Sequence, residues 1–318
     1  MQTRNLFKFL LMTAVVSLAL SLTALADGQK PASVLVYNYY QSSATQSAKS
    51  DTVFNLTNLS LNASAYVHVI FVQSDTCAVA DTFLCLTPNQ TTSFLASDID
   101  PGAKGYMVAV ATDKNTGCPI SFNFLIGSES VKWKNGRTAS FNAEGFAALY
   151  SGTLPGCNEN TPEANIDLNG TVYDAAPRSL AVDKIGSLAD GNSTLVVVNS
   201  LNGHFSNNVT AIGPMFGVVY DDAEDASSFA KSASCQLAEV LSDSFPLTSP
   251  LLFSAKISAG RTGWMYVLAR PGIGVTGAVI SFNPKAATHK GLFNSSHNLH
   301  HRRYTTARMV IPVFAPTC

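Results

Sequence analysis

The sequence predicts an all-β protein made of two tandem β-sandwich domains, the second carrying a short helical insertion. Three observations point there. The first is an internal repeat. Ile99-Asp-Pro-Gly102-Ala-Lys-Gly105-Tyr106-Met107 returns at identical spacing as Ile257-Ser-Ala-Gly260-Arg-Thr-Gly263-Trp264-Met265, and Thr116-Gly117-Cys-Pro-Ile120-Ser121-Phe122-Asn123 returns as Thr276-Gly277-Ala-Val-Ile280-Ser281-Phe282-Asn283. Self-similarity of this kind marks a duplicated structural unit. The second is a strand-like run every 8–12 residues or so, the rhythm of a sandwich or barrel. The third is composition: only 13% of residues are charged, about half the usual share, and Asn, Ser and Thr carry the polar load.

Residues 1–26 read as an export signal. Arg4 and Lys8 form a basic start, an apolar run from Phe9 to Leu22 follows, and Ala24-Leu25-Ala26 is a small-x-small cleavage site before Asp27. The run of about 14 residues is short of the roughly 20 that a spanning helix needs. No later segment reaches that length, so no integral membrane segment is expected after cleavage.

The first domain, 27–150, shows strand signals near Val34–Tyr39, Thr52–Thr57, Ala65–Val72, Thr82–Leu86, Thr91–Leu95, Gly105–Thr112 and Ile120–Ile126, with a further one in Ala139–Tyr150. Pro88-Asn89, Asp100-Pro-Gly102 and Lys114–Gly117 punctuate them as turns. Residues 151–177 read as a linker. The second domain, 178–318, shows strands near Ser179–Val182, Thr194–Asn199, Met215–Tyr220, Leu251–Ile257, Gly263–Ala269, Ala278–Phe282 and Ala307–Phe314. Between them, Phe229, Ala233, Leu237 and Val240 recur at helical spacing, so a helix is expected over 225–241 with Asp225 as its N-cap.

A Gly-bearing corner followed by Gly-aromatic at a strand start resembles the corner where a Tyr pins the turn in immunoglobulin-like sandwiches. Gly102, Gly105 and Tyr106 occupy it in the first repeat, and Gly260, Gly263 and Trp264 in the second. The two repeats, roughly 33–126 and 178–284, thus resemble immunoglobulin-like or fibronectin-like modules. The whole chain resembles secreted proteins of environmental bacteria, a resemblance that implies no activity.

Six cysteines, Cys77, Cys85, Cys118, Cys157, Cys235 and Cys318, follow the signal. An even count in an exported chain favours disulfides over buried thiols. Cys77 with Cys85 is the preferred pair because it closes a short local loop, with Cys118 competing for either partner. No C-x-x-C pair points to zinc or redox chemistry.

Loss of Arg4 and Lys8 takes the formal charge from −1 to about −3, which argues against nucleic acid and anionic membranes as partners. Gly272-Ile-Gly274-Val-Thr-Gly277 matches a dinucleotide fingerprint by letter, but a strand-like run follows where a helix is required. His297, His300 and His301, with His289 upstream, are candidate metal ligands. In a strand His300 and His301 would face opposite ways, and no acidic or Cys ligand is near in sequence. Asp221, Asp222 and Glu224 are candidate calcium ligands, against a solvated turn with a helix cap. His68 reads as a half-buried strand residue. No G-x-S-x-G or H-E-x-x-H occurs.

The reading is a secreted, periplasmic or cell-surface binding or adhesion protein, non-catalytic, engaging a glycan or an envelope protein. Tyr37, Tyr39, Tyr40 and Trp133 are either its surface contacts or core residues. The alternatives are a self-associating matrix or surface-layer component and a hydrolase with its site in the interdomain cleft.

Overall fold

Runs such as Val34–Tyr37, Val67–Val72 and Val196–Val198 lack the apolar/polar alternation of a half-exposed strand, so both faces of each must be covered. The computed structural model, which describes residues 29–283 and 295–317, covers them. The expected export signal, His289 and Cys318 lie outside the described residues. The chain is all-β, with 55% strand and 4% helix.

In the first half, β1 (Val34–Gln41), β3 (Ala65–Gln73), β4 (Val79–Leu86), β6 (Lys104–Thr112) and β9 (Glu144–Phe146) form a sheet in the order β4-β3-β6-β1-β9. Facing it, β2 (Asp51–Asn58), β5 (Thr91–Leu95), β7 (Leu125–Lys132) and β8 (Thr138–Asn142) are ordered β5-β2-β7-β8. The second half repeats both orders. β11 (Ala176–Gly186), β15 (Gly213–Asp221), β16 (Ala226–Ala233), β18 (Thr262–Leu268) and β21 (His300–Thr305) run β16-β15-β18-β11-β21. β12 (Ser193–Ser200), β17 (Gln236–Val240), β19 (Val275–Phe282) and β20 (Ser295–Asn298) run β17-β12-β19-β20. Even the one-turn helices correspond: α1 (Ala96–Ile99) and α2 (Phe253–Lys256) each precede the repeated glycines.

A fifth sheet belongs to neither half alone. β10 (Glu163–Leu168), from the stretch expected as a linker, pairs with the late strand β22 (Ala307–Pro312), and the short β13 (Gly203–His204) and β14 (Asn208–Val209) extend it.

This corrects the expectation of two tandem immunoglobulin-like sandwiches. In that fold the first two strands are neighbours in one sheet, whereas β1 and β2 lie in different sheets here and β1 sits between β6 and β9. Nor do the halves bury their apolar faces independently. Leu35, Tyr37, Val69 and Met107 face Phe54 and Leu56 in one core, while Val34, Val36, Val72 and Val108 on the reverse of the same sheet pack with Ile166, Phe205, Met309 and Ile311 of the fifth sheet and its loops. Likewise Val196 and Val198 face Met215 and Met265, while Leu195 and Val197 pack against Val131, Ala139 and Phe141 of the first half. Five small sheets share these cores.

Three local expectations also change. The helix over 225–241 is instead β16 and β17: Ser227 and Phe229 alternate inward, and Gly217 opposite leaves the room that the Phe229 ring fills. Pairing with β15 outweighs a helical spacing carried by a serine-rich segment. Leu251–Ile257 contains α2 rather than a strand, and the strand expected at Ile120–Ile126 starts later, as β7. Cys77 bonds to Cys235, 158 residues away, and Cys118 to Cys157. Cys77–Cys85 fails because Cys85 pairs with Tyr66 inside the β3–β4 ladder, at the end away from Cys77. Cys85 is itself disulfide-bonded. Among the described residues no helix is long and apolar enough to cross a membrane.

Candidate functional site

Two equivalent bulges build the site. β1 shifts register against β6 between Tyr37 and Tyr40, and β11 shifts against β18 between Val182 and Ile185. Each bulge ends on the residue facing the repeated glycine, Tyr40 on Gly105 and Ile185 on Gly263, which makes Asn38 and Asp183 counterparts. A bulge re-aims the side chain it carries. The neighbouring strands match too, since Val36 faces Glu144 and Ala181 faces His300. One scaffold therefore holds an amide–carboxylate pair in the first half and a carboxylate–imidazole pair in the second.

In the first half Asn38 is buried and donates from Nδ2 to Glu144 Oε1 at 2.6 Å and to Asn298 Oδ1 at 3.1 Å. Asn199 Nδ2 donates to Asn38 Oδ1 at 3.0 Å, and Gln236 Nε2 to Asn199 Oδ1 at 2.7 Å. The network joins residues of both halves. A buried polar network of this kind fixes one packing over others because each unpaired member is costly.

Glu129 on β7 lies beneath it, 1% exposed, and Oε1 accepts the Tyr39 N–H at 3.2 Å. Among the described residues, Oε2 has no hydrogen-bond partner. Burial, reinforced by the Glu144 charge, pushes the Glu129 carboxyl well above its ordinary 4.5, against the pull of the Tyr39 and Asn38 backbone donors. The folded chain thus keeps a proton that the unfolded chain releases above about pH 4.5, so stability falls as pH rises from there toward the folded-state value. Glu129→Gln is expected to remove that slope, gaining on wild type by up to about 1.4 kcal/mol per pH unit within the window. Urea midpoints from pH 4 to 8 check it; parallel profiles would mean that Glu129 titrates as it does in water.

In the second half Asp183 receives two imidazoles. His297 Nε2 lies 2.8 Å from Oδ1 and His300 Nε2 3.7 Å from Oδ2, with ring centroids 5.8 Å apart. The chain passes from β20 to β21 at Leu299, and that crossing lets His297 and His300 face one another. His301 points elsewhere, with Nε2 2.7 Å from Glu144 Oε2. Opposite facing of His300 and His301 is thus present, but the acidic partner absent from the local sequence arrives from β11.

Other sequence candidates have different settings. Asp221 accepts from the Ala223 and Asp225 N–H groups in the β15–β16 turn and lies near Lys256 and Arg261, while Asp222 pairs with Arg261. Glu224 takes a positive φ of 65° in that turn. Two of the three candidate calcium ligands thus already have cationic neighbours. Tyr106 is fully buried and donates its hydroxyl to Ser200 O at 2.8 Å, tying the halves together. Its counterpart Trp264 stacks on Tyr220 at 4.2 Å with Arg302 over the ring. Tyr37, Tyr39 and Tyr40 are core residues, and Trp133 stacks on Tyr39 beside Arg137. His68 is buried rather than half-buried, paired with Asp81 and stacked on Phe83. A strand, β19, follows Gly272–Gly274.

Both polar clusters open onto one groove of about 1100 Å3 along the seam between β8 and β20. Ser140 N donates to Ser296 Oγ at 3.1 Å, Ser296 Oγ returns a bond to Ser140 O at 3.0 Å, and Asn298 Nδ2 donates to Asn142 O at 2.7 Å. The lining is rich in hydroxyls and amides, among them Ser128, Ser130, Ser295 and Asn142, with Tyr304, 60% exposed, as its most open aromatic ring. No protein-family model and no curated protein matches the chain.

Proposed function

We propose that this is an exported binding protein whose ligand, a hydroxyl-rich molecule of the glycan class, lies in the groove between the halves. The lining carries the reading: many short hydroxyl and amide side chains beside an open aromatic ring suit a polyol, which needs dense hydrogen bonding and one apolar face. Export is supported by the basic–apolar–small start of the chain and by disulfide-bonded cysteines. A hydrolytic reading fares worse. Among the described residues of the lining, Glu129 is buried, Glu144 is engaged by Asn38 and His301, Asp174 by Lys30, and Asp183 by His297 and His300, so the groove presents no free carboxylate pair.

The test is a broad glycan array probed with the folded chain from Asp27 onward, with heat-unfolded protein as control. Tyr304→Ala, which removes the open ring, is expected to weaken a fold-dependent hit about tenfold or more, on the order of 1.4 kcal/mol. Ser130→Trp, which fills the groove, should abolish it. A blank array together with concentration-dependent self-association would overturn the reading in favour of a matrix component.

A further inference from the structure

The geometry points to a zinc site formed by Asp183, His297 and His300, with its fourth coordination position open to the groove. Three strands of two different sheets supply the ligands: the β11 bulge brings Asp183, β20 brings His297 and β21 brings His300. Among the described residues this is the one group of three potential ligands whose donor atoms all lie within 4.8 Å of one another.

Spacing and chemistry both suit the ion. Tetrahedral Zn2+ with ligands at 2.0–2.1 Å holds neighbouring donor atoms about 3.3 Å apart. The two imidazole-to-carboxylate separations, 2.8 and 3.7 Å, bracket that value, so small side-chain rotations would seat the ion. Two imidazoles and a carboxylate form a donor set that suits Zn2+ better than the all-oxygen shells of Ca2+ or Mg2+. Three protein ligands leave one position for water or for a ligand group, and all three residues line the groove. The inference stands on this cluster alone, whatever the groove binds.

The rival reading of the same atoms is a carboxylate hydrogen-bonded to two imidazoles with no metal. Titration of the disulfide-intact chain with Zn2+, in competition with a chromophoric chelator, separates the two. The expected result is one Zn2+ per chain at micromolar protein, with Co2+ giving the visible absorption of a tetrahedral site. His297→Ala and Asp183→Asn should each weaken binding at least about tenfold, while His204→Ala, on β13 and remote from the cluster, should bind as wild type does. His300→Gln alters an exposed edge residue and guards against loss through misfolding, which near-UV circular dichroism would reveal. No Zn2+ uptake by wild type, or wild-type affinity in His297→Ala and His300→Gln, would overturn the proposal.

Discussion

Gly105→Ala is expected to be among the most damaging single substitutions in this protein. A Cβ there would stand 1.8 Å from the carbonyl oxygen of Val72, inside the sheet where β3 and β6 pair. The clash is backbone against side-chain root, so no rotamer relieves it, and β3 must move away from a strand held on both sides. Overpacking ordinarily costs about 1–3 kcal/mol and occasionally more; this central position should reach about 3–5 kcal/mol. Gly263→Ala should follow the same course, because its Cβ would meet Tyr220 O at 2.4 Å. Gly102→Ala is the informative contrast. There the obstacle is a positive φ of 81° with the nearest atom 3.4 Å away, which predicts a loss of only about 1–2 kcal/mol. Denaturant unfolding under non-reducing conditions ranks the three. A Gly105→Ala midpoint close to wild type would show that β3 and β6 do not pair in this register.

The second large effect belongs to the disulfide between Cys77 and Cys235. It closes a loop of 158 residues and ties the β3–β4 connection in the first half to the β16–β17 connection in the second. By unfolded-chain entropy, a cross-link of that span stabilises by about 5 kcal/mol, against about 4 kcal/mol for Cys118–Cys157 with its separation of 39. The Cys77→Ser/Cys235→Ser double variant is therefore expected to lose more than Cys118→Ser/Cys157→Ser. The first should also loosen the shared core, where Cys235 is fully buried beside Val72 and Leu201. Non-reducing peptide mapping checks the pairing directly, and recovery of a Cys77–Cys85 peptide would refute it.

The repeated glycines were legible because their job is local. Gly105 and Gly263 mark strand starts too close to a neighbour for a Cβ, while Gly102 and Gly260 turn the chain at positive φ. Positions of most strands were legible for a similar reason: the period-two apolar pattern and the turn residues between runs are set by the strand itself. The helix expected over 225–241 failed where that local signal was ambiguous. Its spacing of Phe229, Ala233, Leu237 and Val240 is shared by two short strands broken at Ser234–Cys235, and only pairing with β15 and β12 decides between them.

The candidate site lay further beyond local reach. His297 and His300 were visible as a cluster, yet their carboxylate partner Asp183 is 114 residues from His297 and enters through a bulge. Nothing in the local sequence sets Glu129 or Glu144 apart from the other carboxylates, and only the packing of β7 against β1 buries Glu129 and raises its pKa.

By itself the sequence determined an all-β chain, the duplication and the residues at its tight strand contacts, since these follow from composition, period and spacing. Tertiary structure alone decided strand order, the fifth sheet, the disulfide partners and the meeting of Asp183 with His297 and His300. The physical reason is that a strand's own pattern states which residues seek burial but not which distant surface will bury them. β1 and β12, apolar on both faces, cover one face within their own half and the other against residues of the opposite half.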